Sequence, residues 1–459
     1  MAEHRLSLAV NGRERLLHGQ LTAFDLAQAA GPAGMTGPGH QATGTVAIVG
    51  LGYVGLPTAV ALHGKSPRVI GIDISEQRLA EVAAERADLT GPDQERLAAA
   101  LADGSLELTT DPAAMAEAGA VIVCVPTPVT DDHTPDLAAL RAACASVVAH
   151  ARPGQVIILT STTYVGTTRE LLTEPLQRRG LAAGRDVYVA FSPERIDPGN
   201  PDHQQSETPR VVGGATAECS SRAAEVIGRL TDSVYLVSST DAAEATKLYE
   251  NIFRAVSLAL ANEFADACGT LELDPVEITL AAGTKPYGFL GVFPGPGVGG
   301  HCIPCDPHYL LWQLNAAGRR SPLIEQAMTS ITARPERVIE RAAEVMAADG
   351  RSLAGARIVV IGASYKGGVR DLRETPALPL MEGLARAGAD VAYYDPLIPE
   401  LELPGGQLRR SITEPRGADW DLAVVHTLHP GLDYGWARDC PRVLDATYQF
   451  FGAERRAVV

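Results

Sequence analysis

The chain has 459 residues, enough for two or three domains, and its 46% hydrophobic and 20% charged content is that of an ordinary globular protein. A net charge of −16 argues against a general nucleic-acid or membrane-surface binder, which needs a basic face, and no apolar run is long enough to cross a bilayer. The seven cysteines are scattered rather than framed as a disulfide scaffold, and the N-terminus lacks the apolar core of a secretory signal, so a cytoplasmic protein is expected.

Residues 1–44 stand apart. The stretch GPAGMTGPGHQATG has no periodicity and reads as a flexible linker, while Leu21 to Ala30 is a candidate short helix. From Thr45 the grammar changes. TVAIVG, RVIGID, AVIVCV, QVIILT, VYVAF and RVVGG are compact apolar runs, and helical stretches such as Ser75 to Ala87 and Thr168 to Arg178 lie between them. Near-continuous apolar strands alternating with helices predict a parallel sheet covered on both faces.

The first strand leads into Gly50-Leu51-Gly52-Tyr53-Val54-Gly55, and a helix opens at Leu56-Pro57. In that context Gly50 serves a tight turn, Gly52 admits a pyrophosphate, and Gly55 lets helix and strand pack closely. Asp73 closes the next strand, where a carboxylate binds ribose hydroxyls and repels a 2′-phosphate. NAD is therefore the expected cofactor rather than NADP, with Arg78 close enough to temper the preference.

A long uninterrupted helix follows. Asp241 to Glu244 has the form of a capping box, and Gly269 is a plausible stop. The helix is apolar nearly all round, which predicts burial on both sides. Lys247, Asn251 and Arg254 form one polar stripe at i, i+4 and i+7. Two readings stand for it: a solvated edge with a Glu244–Lys247 pair, or a functional cluster. A second α/β unit begins near Gly355, with ARIVVIG, DVAYYD, LAVVH and RVLD as strands and Pro376 to Ala387 as a helix. The expected fold is α/β: two Rossmann-like, doubly wound parallel-sheet domains joined by a long central helix and a helical middle domain.

Between these units lies Gly295-Pro-Gly-Val-Gly-Gly-His-Cys-Ile-Pro-Cys-Asp-Pro307. A thiol set among glycines and prolines is poorly placed for core packing, and glycine lets backbone approach a ligand closely. Cys302 is therefore a candidate nucleophile, with Asp306 four residues on.

This loop resembles the nucleophile loop of the UDP-glucose/GDP-mannose dehydrogenase family. Gly50 to Gly55, Cys124-Val-Pro-Thr-Pro128, Ser161-Thr-Thr-Tyr-Val-Gly-Thr167, Ser192-Pro-Glu-Arg195, Lys247 to Asn251 and Tyr365-Lys-Gly-Gly-Val-Arg-Asp-Leu-Arg-Glu-Thr-Pro376 resemble other family motifs, in family order. The resemblance implies an NAD-binding domain over 45–238, a central dimerisation domain with the cysteine loop over 239–350, and a UDP-sugar-binding domain over 351–459. It also implies a homodimer, or a larger even assembly, paired through the central helix.

The implied reaction is a four-electron oxidation of a sugar C6 alcohol by two NAD, through a Cys302 thiohemiacetal and thioester. Lys247 and Asn251 resemble the oxyanion-stabilising pair, Asp306 the carboxylate that orders a water, Glu194 the acid/base glutamate, and Thr127 the threonine near that water. Glu194 also reads as a partner of Arg195 or Arg210. By the same resemblance Tyr53, Val54, Pro126, Thr127 and Thr162 join the cofactor set, and Arg195, Arg254, Gly299 and Lys366 the substrate set. No metal is implied, and the substrate is the expected partner.

Three departures matter. Some glucose-oxidising members carry a second glutamate where this chain has Pro198, and the SPER and GGHCIP forms look more like the branch acting on UDP-linked 2-acetamido sugars. UDP-glucose and GDP-mannose stay as alternatives. Cys305 creates a Cys302-Ile-Pro-Cys305 string where the family usually has an aliphatic residue; a thioredoxin-like motif follows a strand and opens a helix, and this one follows a Gly/Pro loop. Lastly, Asp445-Ala-Thr447 stands where the family commonly has Asp-x-Arg. His301 reads as a loop or substrate contact, and His426 and His429 as either nucleotide-facing or surface residues. Two other functions compete: a two-electron hydroxyacid dehydrogenase, which needs neither the thiol nor the second unit, and a non-catalytic NAD-binding or thiol redox sensor.

Overall fold

The computed structural model describes residues 7–10, 13–16, 44–89, 91–130, 132–195 and 206–459. In the N-terminal extension, β1 (Ser7–Val10) and β2 (Arg13–Leu16) pair antiparallel as a hairpin. The expected helix at Leu21–Ala30, nearly all of the expected linker, and Pro198 lie outside the described residues.

The first sheet contains β3 (Val46–Val49), β4 (Val69–Ile72), β5 (Leu106–Thr109), β6 (Ala120–Val123), β7 (Val156–Leu159), β8 (Tyr188–Phe191), β9 (Arg210–Gly214) and β10 (Val234–Val237). Their order is β10-β9-β8-β7-β6-β3-β4-β5. Side chains alternate between two cores, as a period of two requires. Ala47, Val49, Val121, Val123, Ile157 and Leu159 enter one, and Val46, Ile48, Ala120, Ile122, Val156 and Ile158 the other. The sheet is thus covered on both faces, as expected.

One junction departs from the expected parallel order: β8 and β9 run antiparallel, with Ala190 opposite Gly214. The connection between them carries Pro193, Pro198, Pro201 and Pro209, a pattern unsuited to the helical crossover that parallel neighbours need. Strands β5 and β10, the two sheet edges, are not among the expected strands: Glu107 and Thr109 interrupt the apolar run of β5, whereas β10 is wholly apolar over VYLV although its residues are only partly buried.

Helix 240–270 follows, 31 residues long and thus spanning about 46 Å. Its cap is Ser239, whose side chain accepts from Ala242 N, rather than the expected Asp241. Glu244 does not serve the cap. Buried at the helix start, it accepts from Gly166 N (2.6 Å), Thr168 N (2.8 Å) and Thr168 Oγ1 (2.6 Å). Gly213 lets the helix lie directly on the sheet, because a Cβ there would sit 2.0 Å from the Ser239 carbonyl oxygen. Burial is one-sided within the chain. Tyr249, Phe253, Leu260 and Phe264 remain exposed, so the expected burial on both sides is not met by this chain alone.

A second long helix, Pro322–Ala347, packs along helix 240–270 and carries the chain to the C-terminal unit. There β11 (Arg357–Ile361), β12 (Asp390–Tyr394), β15 (Leu422–Val425), β16 (Val443–Asp445) and β17 (Arg456–Val458) form an all-parallel sheet in the order β12-β11-β15-β16-β17. A small hairpin, β13 (Glu400–Glu402) with β14 (Leu408–Arg410), stands beside it. Two cores again flank the sheet, with Ile358 and Val360 in one and Val359 and Ile361 in the other. Among the described residues no helix is long and apolar enough to cross a membrane.

Candidate active site

The glycine turn after β3 has the geometry its sequence implies. Gly50 has φ +90°, and a Cβ there would meet the Cys124 carbonyl oxygen at 2.7 Å. A Cβ on Gly55 would lie 1.8 Å from the Gly50 carbonyl oxygen, whereas one on Gly52 would meet nothing within 4 Å. Two glycines close the turn and the third leaves open space at the start of helix Gly55–Ala61. That fits the approach of a pyrophosphate.

Asp73, half-buried just past β4, accepts from Leu51 N (2.8 Å) through one oxygen and from Ser75 N (2.9 Å) through the other. Arg78 buttresses the same turn by donating from Nε to the Leu51 carbonyl at 2.9 Å. Val54 precedes the helix. Tyr53 is exposed, and the Arg373 guanidinium of the C-terminal unit lies 3.9 Å from its ring centroid. Pro126 and Thr127 follow β6, the first exposed and the second buried, with the Thr127 side chain hydrogen-bonded to Tyr309.

Helix 240–270 brings Lys247 and Asn251 to the end of this sheet. Lys247 is buried and donates from Nζ to the Glu194 carbonyl oxygen at 2.9 Å. Asn251 Nδ2 donates to Asp306 Oδ2. Asp306 begins helix Asp306–Ala316 and is almost wholly buried. Burial pushes its carboxyl up to about 6, against the opposing pull of Lys247 and of hydrogen bonds from Asn251 and Thr162. The Asp306 N–H donates to the Cys302 carbonyl at 2.8 Å, so thiol and carboxylate occupy one turn. Cys302 itself is exposed. The solvated-edge reading of the Lys247–Asn251 stripe, with a Glu244–Lys247 pair, is therefore not met, because Lys247 is buried and directed to Glu194 and Asp306. Arg254, grouped with them by spacing, is exposed on the helix surface.

The cysteine loop is held from both ends. Gly295 N donates to Asn262 Oδ1 (2.9 Å), and the buried Arg334 donates to the Gly295 carbonyl (3.1 Å). A Cβ on Gly299 would come within 2.5 Å of Tyr365 Cβ, and Gly300 N donates to the Arg373 carbonyl at 2.9 Å. Gly299 is thus a packing point between the central region and the C-terminal unit. His301 is half-buried, and burial, then Arg373, lowers its pKa.

Glu194 points its carboxylate at Arg210, with Arg210 Nη1 to Glu194 Oε2 at 2.6 Å, and accepts from Arg195 N at 2.8 Å. Of the two candidate partners for its charge, Arg210 holds it. Both carboxylate oxygens are thus engaged, Oε2 by Arg210 and Oε1 by the Arg195 N–H. The Arg195 guanidinium pairs with Glu250 at 2.6 Å. Lys366 is half-buried on the loop after β11. In that unit His429 donates from Nε2 to Asp395 Oδ1 (2.9 Å) and accepts from Gly368 N (3.0 Å), while His426 bonds Thr427 Oγ1. Both histidines are buried rather than facing the surface, and His429 braces the Lys366 loop through Gly368 N. Thr447 turns back to Asp445 Oδ1, and Asp445 also accepts from Arg456 Nε and Nη2.

Four residues escape a reading of the sequence. There Glu244 looks like a cap, Arg210 is only a candidate partner of Glu194, and Arg373 lies unmarked within a longer motif. Asp395 is the fourth, and the signal that could have found it is that it closes DVAYYD as Asp73 closes RVIGID.

Comparison with known proteins agrees with this geometry. Residues 44–231 match the NAD binding domain of the UDP-glucose/GDP-mannose dehydrogenase family, 241–330 its central domain and 359–448 its UDP binding domain. An NDP-N-acetyl-D-galactosaminuronic acid dehydrogenase from Ralstonia solanacearum is 33% identical over 396 residues, covering 84% of this chain and 90% of that protein. A UDP-N-acetyl-D-mannosamine dehydrogenase from Salmonella typhi is 34% identical over 357 residues, 74% of this chain and 83% of the relative. The solved structure of the UDP-D-ManNAc dehydrogenase from Pyrococcus horikoshii superposes with a TM-score of 0.81 at 29% identity, covering 90% of this chain and 98% of that one. The chain belongs to the UDP-glucose/GDP-mannose dehydrogenase family and is an NAD-dependent nucleotide-sugar dehydrogenase.

Proposed function

We propose that the chain oxidises the C6 alcohol of a UDP-linked 2-acetamido hexose to the carboxylate, reducing two NAD per sugar. The observation that carries this reading is the convergence of Lys247, Asn251, Thr162 and Asp306 on the turn that presents Cys302. The preference for a 2-acetamido sugar rests on the relatives whose names carry N-acetylmannosamine and N-acetylgalactosaminuronic acid.

In this reading residues 45–238 hold the cofactor, 239–350 carry the chemistry and 351–459 bind the nucleotide. The open space at Gly52 fits the NAD pyrophosphate, and Asp73 fits its adenosine ribose. NAD supplies the hydride acceptor. Cys302 adds to the aldehyde formed first, keeping it from escape. It also gives the second oxidation an alkoxide from which hydride can leave, which a bare aldehyde lacks. Lys247 and Asn251 stabilise the oxygen that becomes negative in each step. Asp306, as carboxylate, accepts a proton from the water that opens the thioester, with Thr127 nearby. Glu194 places Lys247 through its carbonyl oxygen. Arg195, Gly299 and Lys366 shape the substrate side.

The exposed face of helix 240–270 supports a homodimer or larger even assembly. Tyr249 and Phe253 border an apolar groove of about 450 Å³, lined also by Val165, Ile252, Leu310 and Leu323. A nucleotide-sugar panel read by NADH formation tests the substrate. Turnover should be fastest with UDP-N-acetylmannosamine or UDP-N-acetylgalactosamine, and fastest turnover with UDP-glucose or GDP-mannose contradicts the assignment.

A further inference from the structure

Only one thiol of Cys302-Ile-Pro-Cys305 takes part in the reaction above. The second, Cys305, is 2% exposed and stands immediately before helix Asp306–Ala316. Asp306 N donates to the Cys302 carbonyl at 2.8 Å and His308 N to the Cys305 carbonyl at 3.0 Å. The backbone from Cys302 to Asp306 is therefore a single turn of helical pitch leading into the helix. Residues three apart on such a turn share a face with Cα atoms about 5 Å apart. That lies inside the span of roughly 4.4–6.8 Å that a disulfide bridges. Both cysteines are thiols, Cys302 exposed and Cys305 enclosed. An exposed leading thiol and a buried following thiol at a helix start is the arrangement thiol–disulfide chemistry uses. The Gly/Pro loop upstream argued against that chemistry in the sequence, but the helix it requires is present.

We propose that Cys302 and Cys305 form a reversible disulfide when the enzyme meets hydrogen peroxide. The effect on turnover rests on the reading of Cys302 as nucleophile; bond formation does not. The Cys302 thiolate attacks a peroxide oxygen, the O–O bond breaks, and hydroxide leaves to become water, giving a sulfenic acid. The Cys305 sulfur then attacks the Cys302 sulfur, and the sulfenic hydroxyl leaves with the Cys305 proton as a second water. Two thiols lose two electrons and two protons, and peroxide is reduced to two waters.

Burial, with the charges of Glu374 and Asp306, holds the Cys305 thiol up to about 12, so it stays protonated and idle during turnover. Its buried position beside Cys302 makes it the first thiol a sulfenic acid there encounters. The disulfide takes Cys302 out of reach of a sugar aldehyde and shields it from irreversible over-oxidation.

The test uses the full-length protein, freed of reductant and exposed to hydrogen peroxide, with Cys305→Val and Cys305→Ala alongside. Both variants should turn over at the wild-type rate before oxidation. After oxidation, the wild-type peptide carrying residues 298–308 should have lost two hydrogens. Dithiothreitol should then restore at least about nine-tenths of wild-type activity, and less than about one-tenth in either variant, where Cys302 gains two or three oxygens. A wild-type peptide carrying added oxygens and no hydrogen-loss species overturns the proposal, as does equal recovery in wild type and variants. A disulfide that forms while full activity persists supports the bond and instead removes Cys302 from the reaction.

Discussion

The two α/β units solve one local problem identically and then diverge. In the first, Gly50 takes φ +90°, donates from its N–H to the Ile72 carbonyl (2.8 Å), and is followed by Leu51, whose N–H is received by Asp73 at 2.8 Å. In the second, Gly362 takes φ +85°, donates to the Tyr394 carbonyl (2.9 Å), and is followed by Ala363, whose N–H is received by Asp395 at 2.7 Å. Beyond that turn the environments part. Asp73 is half-buried and bonds two backbone groups. Asp395 is fully buried and takes Ala363, Ser364, Leu397 and Ile398 backbone N–H groups together with His429. The first aspartate keeps a side toward solvent where a ribose can meet it. The second is a structural hub with nothing left to offer a ligand. After the first turn a helix starts at Gly55; after the second, no helix starts before Ala377, and the loop carrying Lys366 intervenes. In the proposed reading, the same strand-turn-aspartate unit serves a dinucleotide in one place and a braced loop in the other.

The comparison breaks most directly at Asp395. Asp395→Ala strips four backbone N–H groups and a buried histidine of their acceptor, and should cost about 3–5 kcal/mol in urea unfolding. A change under about 1 kcal/mol would show that the two aspartates are equivalent after all. Gly55 and Gly52 sharpen the first turn. Gly55→Ala drives a methyl into the Gly50 carbonyl and should cost about 3 kcal/mol or more of stability. Gly52→Ala meets open space, so stability should move by less than about 0.5 kcal/mol while the KM for NAD rises. Loss of stability in both would mean the turn is packed rather than open. Asp73→Ala should cost only about 1 kcal/mol, raise the KM for NAD, and narrow the gap to NADP, measured as the ratio of kcat/KM for the two cofactors.

The smallest effect is one of pH, and it sets Asp395 against Asp306. Both are buried, yet they move in opposite directions. Burial opposes ionisation of Asp395, but His429 and the Ala363 and Ser364 N–H groups overcome it and hold the carboxyl down to about 2. Asp306 has fewer donors and is pushed up to about 6. A lowered carboxyl contributes stability above its unfolded value, near 4, and loses it as pH falls toward 2. A raised one binds its proton more tightly in the native state, so its contribution fades as pH rises from about 4 to 6. The carboxylate form of Asp306 becomes available only above about 6. The kcat of the wild type should therefore fall below that pH, and Asp306→Asn should lack the limb. A wild-type kcat flat from pH 5 to 8 would remove Asp306 as the base.

Much of this was legible in the sequence because the signals were local. Gly50, Gly52 and Gly55 sit in one turn, and the interior strands are unbroken apolar runs whose neighbours cover both faces. Cys302 and Asp306 share a single turn. What escaped was set by distant partners. Edge strand β5 lacks the apolar signature because Glu107 and Thr109 face outward, whereas edge strand β10 carries it in VYLV and was legible. Glu244 resembles a cap until the backbone of residues 166–168 arrives to claim it. Arg373 reaches Tyr53 only after two domains have packed, and Arg254 shares a stripe with Lys247 by spacing yet stays on the surface. Spacing along a helix specifies its face, but where the neighbouring element ends depends on the rest of the fold.

The central claim is that one turn, carrying Cys302 and Asp306 under Lys247 and Asn251, completes both oxidations of the sugar. Counting NADH formed against UDP-N-acetylhexosamine consumed, with Cys302→Ala beside the wild type, tests it most directly. The account predicts two NADH per sugar in the wild type, a trapped thioester on Cys302 by mass spectrometry, and no four-electron turnover in the variant. One NADH per sugar in the wild type, or two in Cys302→Ala, would contradict it.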